Sequence, residues 1–331
     1  MRIFNANTRG ITDRRNLRQI IDHTLSKRAV ISVLTETKSR EADFFRIRKQ
    51  FNQFQDKISV FSDTNEEGAR SAGVILAIRS GSLENTYEVK KSGRGKYIIL
   101  AGKIEGFDYL IIAVYGDSGD DMQTERDFID MENDIREVHG RHPCQHIVMA
   151  GDFNCVLHAA DTLSNRRKPR SENKLNQIIV NLNIIDLWNE VCPESAGYTF
   201  GVTFSDGHEI VRSYASRLDR IYASPNTLFH PKINREEFIR VHADHLAVSS
   251  DLKSADTDPP TYRFPDRLLK SSNFLEYLHT SIREFLVTQS SEAEQYYESI
   301  SNDNIPPPCG GSHGRCRNEW NRNSTSLHHK Q

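Results

Sequence analysis

The first 250 residues predict an α/β protein in which mixed sheets are covered by helices. Two observations carry this. Apolar runs of strand length alternate with segments of helical periodicity. Consecutive strand-like runs are also joined by Glu105-Gly106-Phe107-Asp108, a turn-rich link short enough for a hairpin.

Arg2 to Phe4 opens a short apolar strand. Leu17, Ile20, Ile21 and Leu25 recur at helical spacing. Val30 to Leu34 (VISVL) reads as a buried strand, and helical spacing returns over Glu41 to Phe51. Strands are then expected at Ile58–Ser62, Gly73–Arg79, Tyr97–Ile104 and Tyr109–Tyr115. An acidic helix at Met122–Val138 precedes a strand at His146–Ala150. Later strand-like stretches are SRLDRIY at 216–222, EFIRV at 237–241 and LAVSS at 246–250. The composition shifts near Ser250. Asp251 to Pro260 is polar, acidic and proline-ended, which predicts a linker. Apolar residues at 274, 275, 278, 282, 285 and 286 predict an amphipathic helix, and the Pro/Gly and Asn/Ser/His-rich end predicts disorder. The domain reading is a single large domain over 1–250, a helix-bearing linker over 251–290 and a tail over 291–331.

The chain has 331 residues, 37% apolar and 27% charged, as in a soluble globular protein. Lys+Arg number 43 against 45 Asp+Glu, a net charge of −2, which argues against a strongly basic nucleic-acid coat. Tyr109 to Tyr115 is far shorter than the roughly 20 residues of a membrane span, so no membrane association is expected. The start, MRIFNANTRG, lacks the apolar stretch of a secretory signal. Five widely spaced cysteines do not suggest a disulfide framework, and Cys309 and Cys316 lack the CxxC spacing of a zinc site. An intracellular location is expected.

Polar residues gather where the expected strands end, the places where α/β proteins collect their sites. Asn5 and Asn7 close the first strand, Glu36 follows the second, and Asp152 and Asn154 follow IVMAG. Asp219 interrupts SRLDRIY, and Asp244-His245 lies between two apolar runs. Singly, each has an ordinary explanation as a turn, a cap or a solvated charge. Their order along the chain is what distinguishes them.

That order resembles the endonuclease/exonuclease/phosphatase superfamily of metal-dependent phosphodiesterases. The resemblance is carried by FNANTRGI at 4–11, LTET at 34–37, SAGVILAI at 71–78, AVYG at 113–116, AGDFN at 150–154, RLDRIY at 217–222 and ADHLAV at 243–248. Within that superfamily, YTFGV followed by SRLDRIYAS is similar to the endonuclease domains of non-LTR (LINE-like) retrotransposons. The segment TYRFPDRLLKSSNFLEYLHTSIREFL resembles the link that follows such domains ahead of a reverse transcriptase, although no YADD or FADD segment is present.

The resemblance implies a four-layer α/β/β/α sandwich that nicks a double-stranded DNA target. It implies Glu36, Asn7 and Asp244 as the metal shell, for Mg²⁺ with Mn²⁺ as a substitute and no other small-molecule cofactor. Asp152 would orient or deprotonate the attacking water, while Asn154 and Asn5 hold phosphate and carboxylate. Asp219 would hydrogen-bond a protonated His245 that donates to the scissile phosphate, and Tyr115 would donate its hydroxyl to a phosphate oxygen. These residue types suit phosphodiester hydrolysis, which needs an activated water, charge neutralisation and help for the leaving oxygen. Oxygen ligands suit Mg²⁺. The chain departs from the pattern at Thr35 (glutamine in relatives), Asn7 (an acid), Asp117-Ser118 (proline and asparagine) and Ala243 (serine). Lost supporting hydrogen bonds would lower activity without abolishing it.

A DNA substrate requires cations along its phosphates. Arg166, Arg167, Lys168 and Arg170, just after GDFN, form the best-placed cluster. Lys90, Lys91, Arg94 and Lys96 form a second, and Arg9, Arg14, Arg15 and Arg18 a third. Tyr198, Phe200 and Tyr214 could probe DNA or lie in the core. Two other readings remain open: a phosphoesterase of the superfamily acting on abasic DNA, RNA or a small phosphoester, and a non-catalytic remnant binding DNA or a partner. A genomic DNA substrate would place the protein in the nucleus. Protein partners are not indicated.

Overall fold

The chain begins β1 (Arg2–Asn7), α1 (Arg14–Ser26), β2 (Ile31–Thr35), α2 (Glu41–Phe51), β3 (Ile58–Asp63) and β4 (Val74–Arg79). It continues through β5 (Leu83–Lys91), β6 (Tyr97–Ile104), β7 (Phe107–Tyr115), α3 (Asp121–Arg141), β8 (His146–Asp152), α4 (Pro169–Asn181), β9 (Ile185–Asp186) and α5 (Leu187–Val191). Last come β10 (Phe200–Ser205), β11 (His208–Ser216), β12 (Asp219–Ala223), β13 (Phe229–Glu237) and β14 (Leu246–Lys253). This computed structural model describes residues 1–11, 13–53, 58–65, 72–164, 167–205, 208–227, 229–237, 244–253 and 280. The expected helix at 274–287 (Thr280 apart) and the expected tail lie outside the described residues, as does the end of EFIRV. Met1–Pro259 forms one compact unit.

Two six-stranded sheets run β13-β14-β1-β2-β4-β3 and β5-β6-β7-β8-β12-β9, and β10 and β11 pair as a two-stranded sheet. Each six-stranded sheet is mixed, with a single parallel pair, β1/β2 in one and β7/β8 in the other. The sheets face each other across a core that includes Ile3, Val33 and Leu76 from one and Leu100, Ile111 and Val148 from the other. On the outer face of the first sheet, Leu17, Ile20 and Ile21 of α1 bury against Phe4, Ala6 and Leu34. Phe128, Met131, Ile135 and Val138 of α3 do the same against Ile99, Leu110 and Ile112 of the second. Side chains alternate faces along a strand, so a strand with helices on one side and a sheet on the other is apolar on both. The result is the four-layer α/β/β/α sandwich.

Local chemistry agrees with the element ends. Asp13 caps α1 by accepting from the backbone N–H groups of Arg15 and Asn16, both at 3.0 Å. Glu105 and Gly106, both at positive φ, form the tight turn between β6 and β7, where the hairpin was expected. Some elements carry no such signal. β5 (LENTYEVKK) is a polar edge strand with largely exposed side chains, so it has no apolar periodicity to read. β14 runs on through Asp251–Lys253, three residues into the expected linker. There Arg2 and Asp251 are register partners and pair through two hydrogen bonds of 2.6 and 2.8 Å. Among the described residues, no helix is long and apolar enough to cross a membrane.

Candidate active site

The register of the strands collects the site. Asn7 lies opposite Thr35, one residue before Glu36, and Tyr115 lies opposite Asp152. Asp219 at the start of β12 also lies opposite Asp152. Between the sheets, the Asn5 amide donates to the Gly151 carbonyl at 3.1 Å. Glycine is required at 151: φ is +156°, and a Cβ would come within 1.9 Å of the Val114 carbonyl oxygen. Glu36 and Asn154 are non-glycine residues in the left-handed region, at φ 50° and 48°. Such strain persists where the surrounding structure over-determines it, often at working sites. A cleft of about 1030 Å³ opens here, lined among others by Asn7, Glu36, Tyr115, Asp152, Asp244 and His245.

Three ionisable groups are buried at its floor. His245 Nδ1 donates to Asp219 Oδ2 at 2.7 Å, and Asp152 is fully buried beside them. Asp152 accepts from the Asn7 amide at 2.8 Å, the Asn154 backbone N–H at 3.0 Å and the Asn154 amide at 3.3 Å. Burial, and then the facing Asp219 carboxylate, raise the Asp152 pKa, which His245 and these donors only partly offset. Burial alone would lower the His245 pKa. The carboxylates of Asp219, Asp152 and Asp244 outweigh it and raise the value, so the imidazole holds its proton. An imidazolium fixed by a carboxylate beside a basic carboxylate is equipped for proton transfer. Burial also pushes the Tyr115 hydroxyl well above its usual range, so it stays a hydrogen-bond donor.

Two groups of residues could hold a cation. The ligand atoms of Asp152, Asp219 and His245 lie within 4.8 Å of one another, the sole such group among the described residues. A protonated imidazole has no lone pair to offer, however, and Nδ1 is already committed to Asp219. The oxygens of Glu36 and Asp244 are better suited. Glu36 pairs with Lys38 at 2.7 Å and Asp244 Oδ2 with Arg9 at 3.3 Å. Asp244 Oδ1 is buried with no hydrogen-bond partner among the described residues. Asn7 is more committed: its amide serves Asp152 and its Oδ1 accepts the Arg9 backbone N–H at 3.0 Å.

Of the basic cluster, Arg167 and Lys168 line the cleft. Arg167 is forked onto Glu172, and the Lys168 ammonium donates to the Asp117 carbonyl. Arg170 lies at 3.6 Å from Glu125 on the surface, and Arg166 falls outside the described residues. In the second cluster, Arg94 and Lys96 line an adjoining cavity, whereas Lys90 pairs with Glu137 of α3. Phe200 and Tyr214 line the cleft, and the Phe200 ring centroid is 5.0 Å from that of His245.

Residue reading missed Thr199. Its hydroxyl accepts from the backbone N–H groups of Leu218 and Asp219, at 3.1 and 3.0 Å. Its carbonyl accepts from Leu246, while Gly201 N–H donates to the Asp244 carbonyl. The YTFG segment thus stitches the DH pair to the start of β12. Its only trace in the sequence is its place in YTFGV, shortly before SRLDRIY.

A family profile described as Endonuclease/Exonuclease/phosphatase family matches residues 4–238. Over 139 residues the chain is 28% identical to the Transposon TX1 uncharacterized 149 kDa protein of Xenopus laevis. That match takes in 41% of this chain and 10% of the relative, so only about a tenth of the relative's length is spanned. Among solved structures, the 3′ phosphatase NExo from Neisseria, bound to a product DNA hairpin, gives a TM-score of 0.59 at 19% identity, covering 76% of this chain and 99% of that one. The endonuclease domain of TRAS1, a telomere-specific non-LTR retrotransposon, gives 0.50 at 14% identity, covering 77% and 99%. These structural likenesses establish the fold, with the expected layers in the expected order.

Proposed function

The chain belongs to the endonuclease/exonuclease/phosphatase family, and from that premise we propose that it is a divalent-metal-dependent DNA endonuclease that nicks double-stranded target DNA, as in non-LTR retrotransposition. The observation that supports this best is the buried pair His245–Asp219 at 2.7 Å, set against Asp152 at the floor of the cleft.

In this reading Asp152 takes a proton from, or orients, the attacking water, and its raised pKa makes it a stronger base than an exposed carboxylate. The Asn7 and Asn154 side-chain amides hold its Oδ2, and the Asn154 backbone N–H holds its Oδ1. His245, held charged by Asp219, donates to the scissile phosphate as negative charge builds there. Tyr115 donates its hydroxyl to a second phosphate oxygen. Asn5 holds the Gly151 backbone beneath Asp152. Glu36 and Asp244, with the Asn7 Oδ1, would hold Mg²⁺ or Mn²⁺: the donor set is all oxygen, and Asp244 Oδ1, without a partner among the described residues, leaves a lone pair for it. When bound, the metal would neutralise phosphate charge and polarise the phosphoryl oxygen.

Incubation of supercoiled plasmid with the protein and Mg²⁺ tests the reading. Nicking should disappear with a chelator and fall by about 10²–10⁴-fold in His245→Ala. Glu36→Ala should remove it as well. Intact plasmid with cleavage of an abasic duplex or a phosphoester dye would instead favour another phosphoesterase of the family. A non-catalytic remnant draws support from Thr35, whose buried hydroxyl has no partner among the described residues where relatives carry glutamine. DNA binding with no cleavage in any metal would favour that reading.

A further inference from the structure

Beyond Tyr115 the cleft continues into a second cavity of about 540 Å³, which shares Glu36, Tyr115 and Ser118 with the first. Three cations among the described residues line it, and all are engaged. Lys38 pairs with Glu36 at 2.7 Å, and Arg94 with Asp127 and Asp130 at 3.0 and 2.7 Å. Lys96 is the most enclosed, its side chain 12% exposed, with Nζ 2.9 Å from Asp117 Oδ2 and 5.5 Å from the Tyr115 ring centroid. Its other acid, Asp127, is farther, with Oδ2 4.0 Å away, while its Oδ1 takes Arg94 and Gln123. Asp117, by contrast, comes from the loop between β7 and α3 and is a third exposed. Asp117 also reaches across the cleft, because its backbone carbonyl accepts from the Lys168 ammonium on the other wall.

We propose that the Asp117 carboxylate is a built-in stand-in for a substrate phosphate: it occupies Lys96 until the backbone of a bound nucleic acid displaces it and takes over the lysine. The inference rests on the nuclease reading and deepens it. An ammonium this enclosed is costly to leave unpaired, and the exchange of carboxylate for phosphodiester keeps it paired throughout. The chemistry balances as an ion exchange, with no covalent step. A substrate long enough to enter the second cavity displaces Asp117, whereas a shorter one leaves the latch closed. Asp117 therefore lowers affinity only for strands that reach the second cavity and makes binding depend on strand length.

The test is a double-mutant cycle on equilibrium binding, measured by fluorescence anisotropy of a labelled DNA duplex in EDTA over a range of KCl. Asp117→Asn keeps the acceptor that holds the Gly119 and Asp120 N–H groups at 2.8 and 3.2 Å, so the turn is preserved. It should tighten binding about three- to tenfold, the scale of one released ion pair. It should also steepen the slope of log K against log salt by up to about one, because in the wild type the freed carboxylate takes up a cation as the phosphate releases one. In a Lys96→Met background, Asp117→Asn should give no gain. An equal gain in both backgrounds would mean mere removal of negative charge, and weaker binding in Asp117→Asn would mean that the acid positions Lys96. Either outcome overturns the latch. Wild-type protein that binds and nicks DNA while Asp117→Asn shows no gain sinks the latch alone. No binding or nicking by any variant sinks both the latch and the nuclease reading.

Discussion

Asp219 buries its charge by sharing it with His245, and that arrangement has a pH signature. The Asp219, Asp152 and Asp244 carboxylates raise the His245 pKa against the effect of burial. If His245 works as the charged donor, activity is lost as pH rises through its pKa. Asp219→Asn keeps the shape and an acceptor but removes the nearest of these charges, so the imidazole should lose its proton at lower pH. The alkaline limb of the pH–rate profile should then shift to lower pH in that variant. An unmoved limb, with only a lower plateau, would assign Asp219 a purely orienting role. At this scale the sequence was informative. Glu36, Asp152, Asp219 and His245 lie in short segments at or beside strand ends, and the structure gathers these segments at one cleft. The commitments of Asn7 were not legible in the sequence. That its amide serves Asp152 while Arg9 reaches Asp244 depends on packing between residues 145 and 235 positions apart.

The segment before β10 shows how a strand end is kept in place. The Thr199 hydroxyl is buried and carries two backbone N–H groups at the start of β12, one of them that of Asp219. Thr199→Val would keep the shape and strand both donors, at roughly 1–3 kcal/mol for each unsatisfied group. A drop in Tm is therefore expected. The Asp219 backbone would shift with it, so kcat should fall more than KM rises, and Thr199→Ser should restore both. A Thr199→Val protein as stable and active as wild type would show that water satisfies these N–H groups. Elements with an apolar face were legible: α1, α3, β4 and the β6–β7 hairpin lie where periodicity and turn chemistry put them. β5 and α4 were not. β5 has only one inward face to satisfy at a sheet edge, and α4 begins with Pro169 and Arg170, within a run that reads as a basic cluster.

Residues 1–250 carry 34 Lys+Arg and 34 Asp+Glu, so the large domain is neutral and its charges act through placement. The deepest cluster joins segments distant in the chain. Arg217 bonds Asp161 at 3.0 and 2.7 Å and Asp186 at 2.9 and 2.7 Å, while Arg220 bonds Asp161 at 3.1 Å. Asp186 also caps α5, and both arginines flank Asp219 in sequence, so the cluster supports the start of β12. Burial alone would raise the Asp161 pKa. Arg220 and Arg217 more than offset this and hold it below the ordinary 3.8. A carboxyl whose folded pKa is depressed adds stability that is fully present above its unfolded pKa and is lost as pH falls through the folded one. Asp161→Asn removes one partner from a buried network and should cost about 3–5 kcal/mol at neutral pH. Because the variant has no proton to gain there, the gap between the two proteins should be constant from pH 7 to about 5 and then close as the solution is made more acid. Urea unfolding at several pH values measures it. A gap that persists unchanged to pH 2 would mean that Asp161 contributes through shape and hydrogen bonding rather than through its charge.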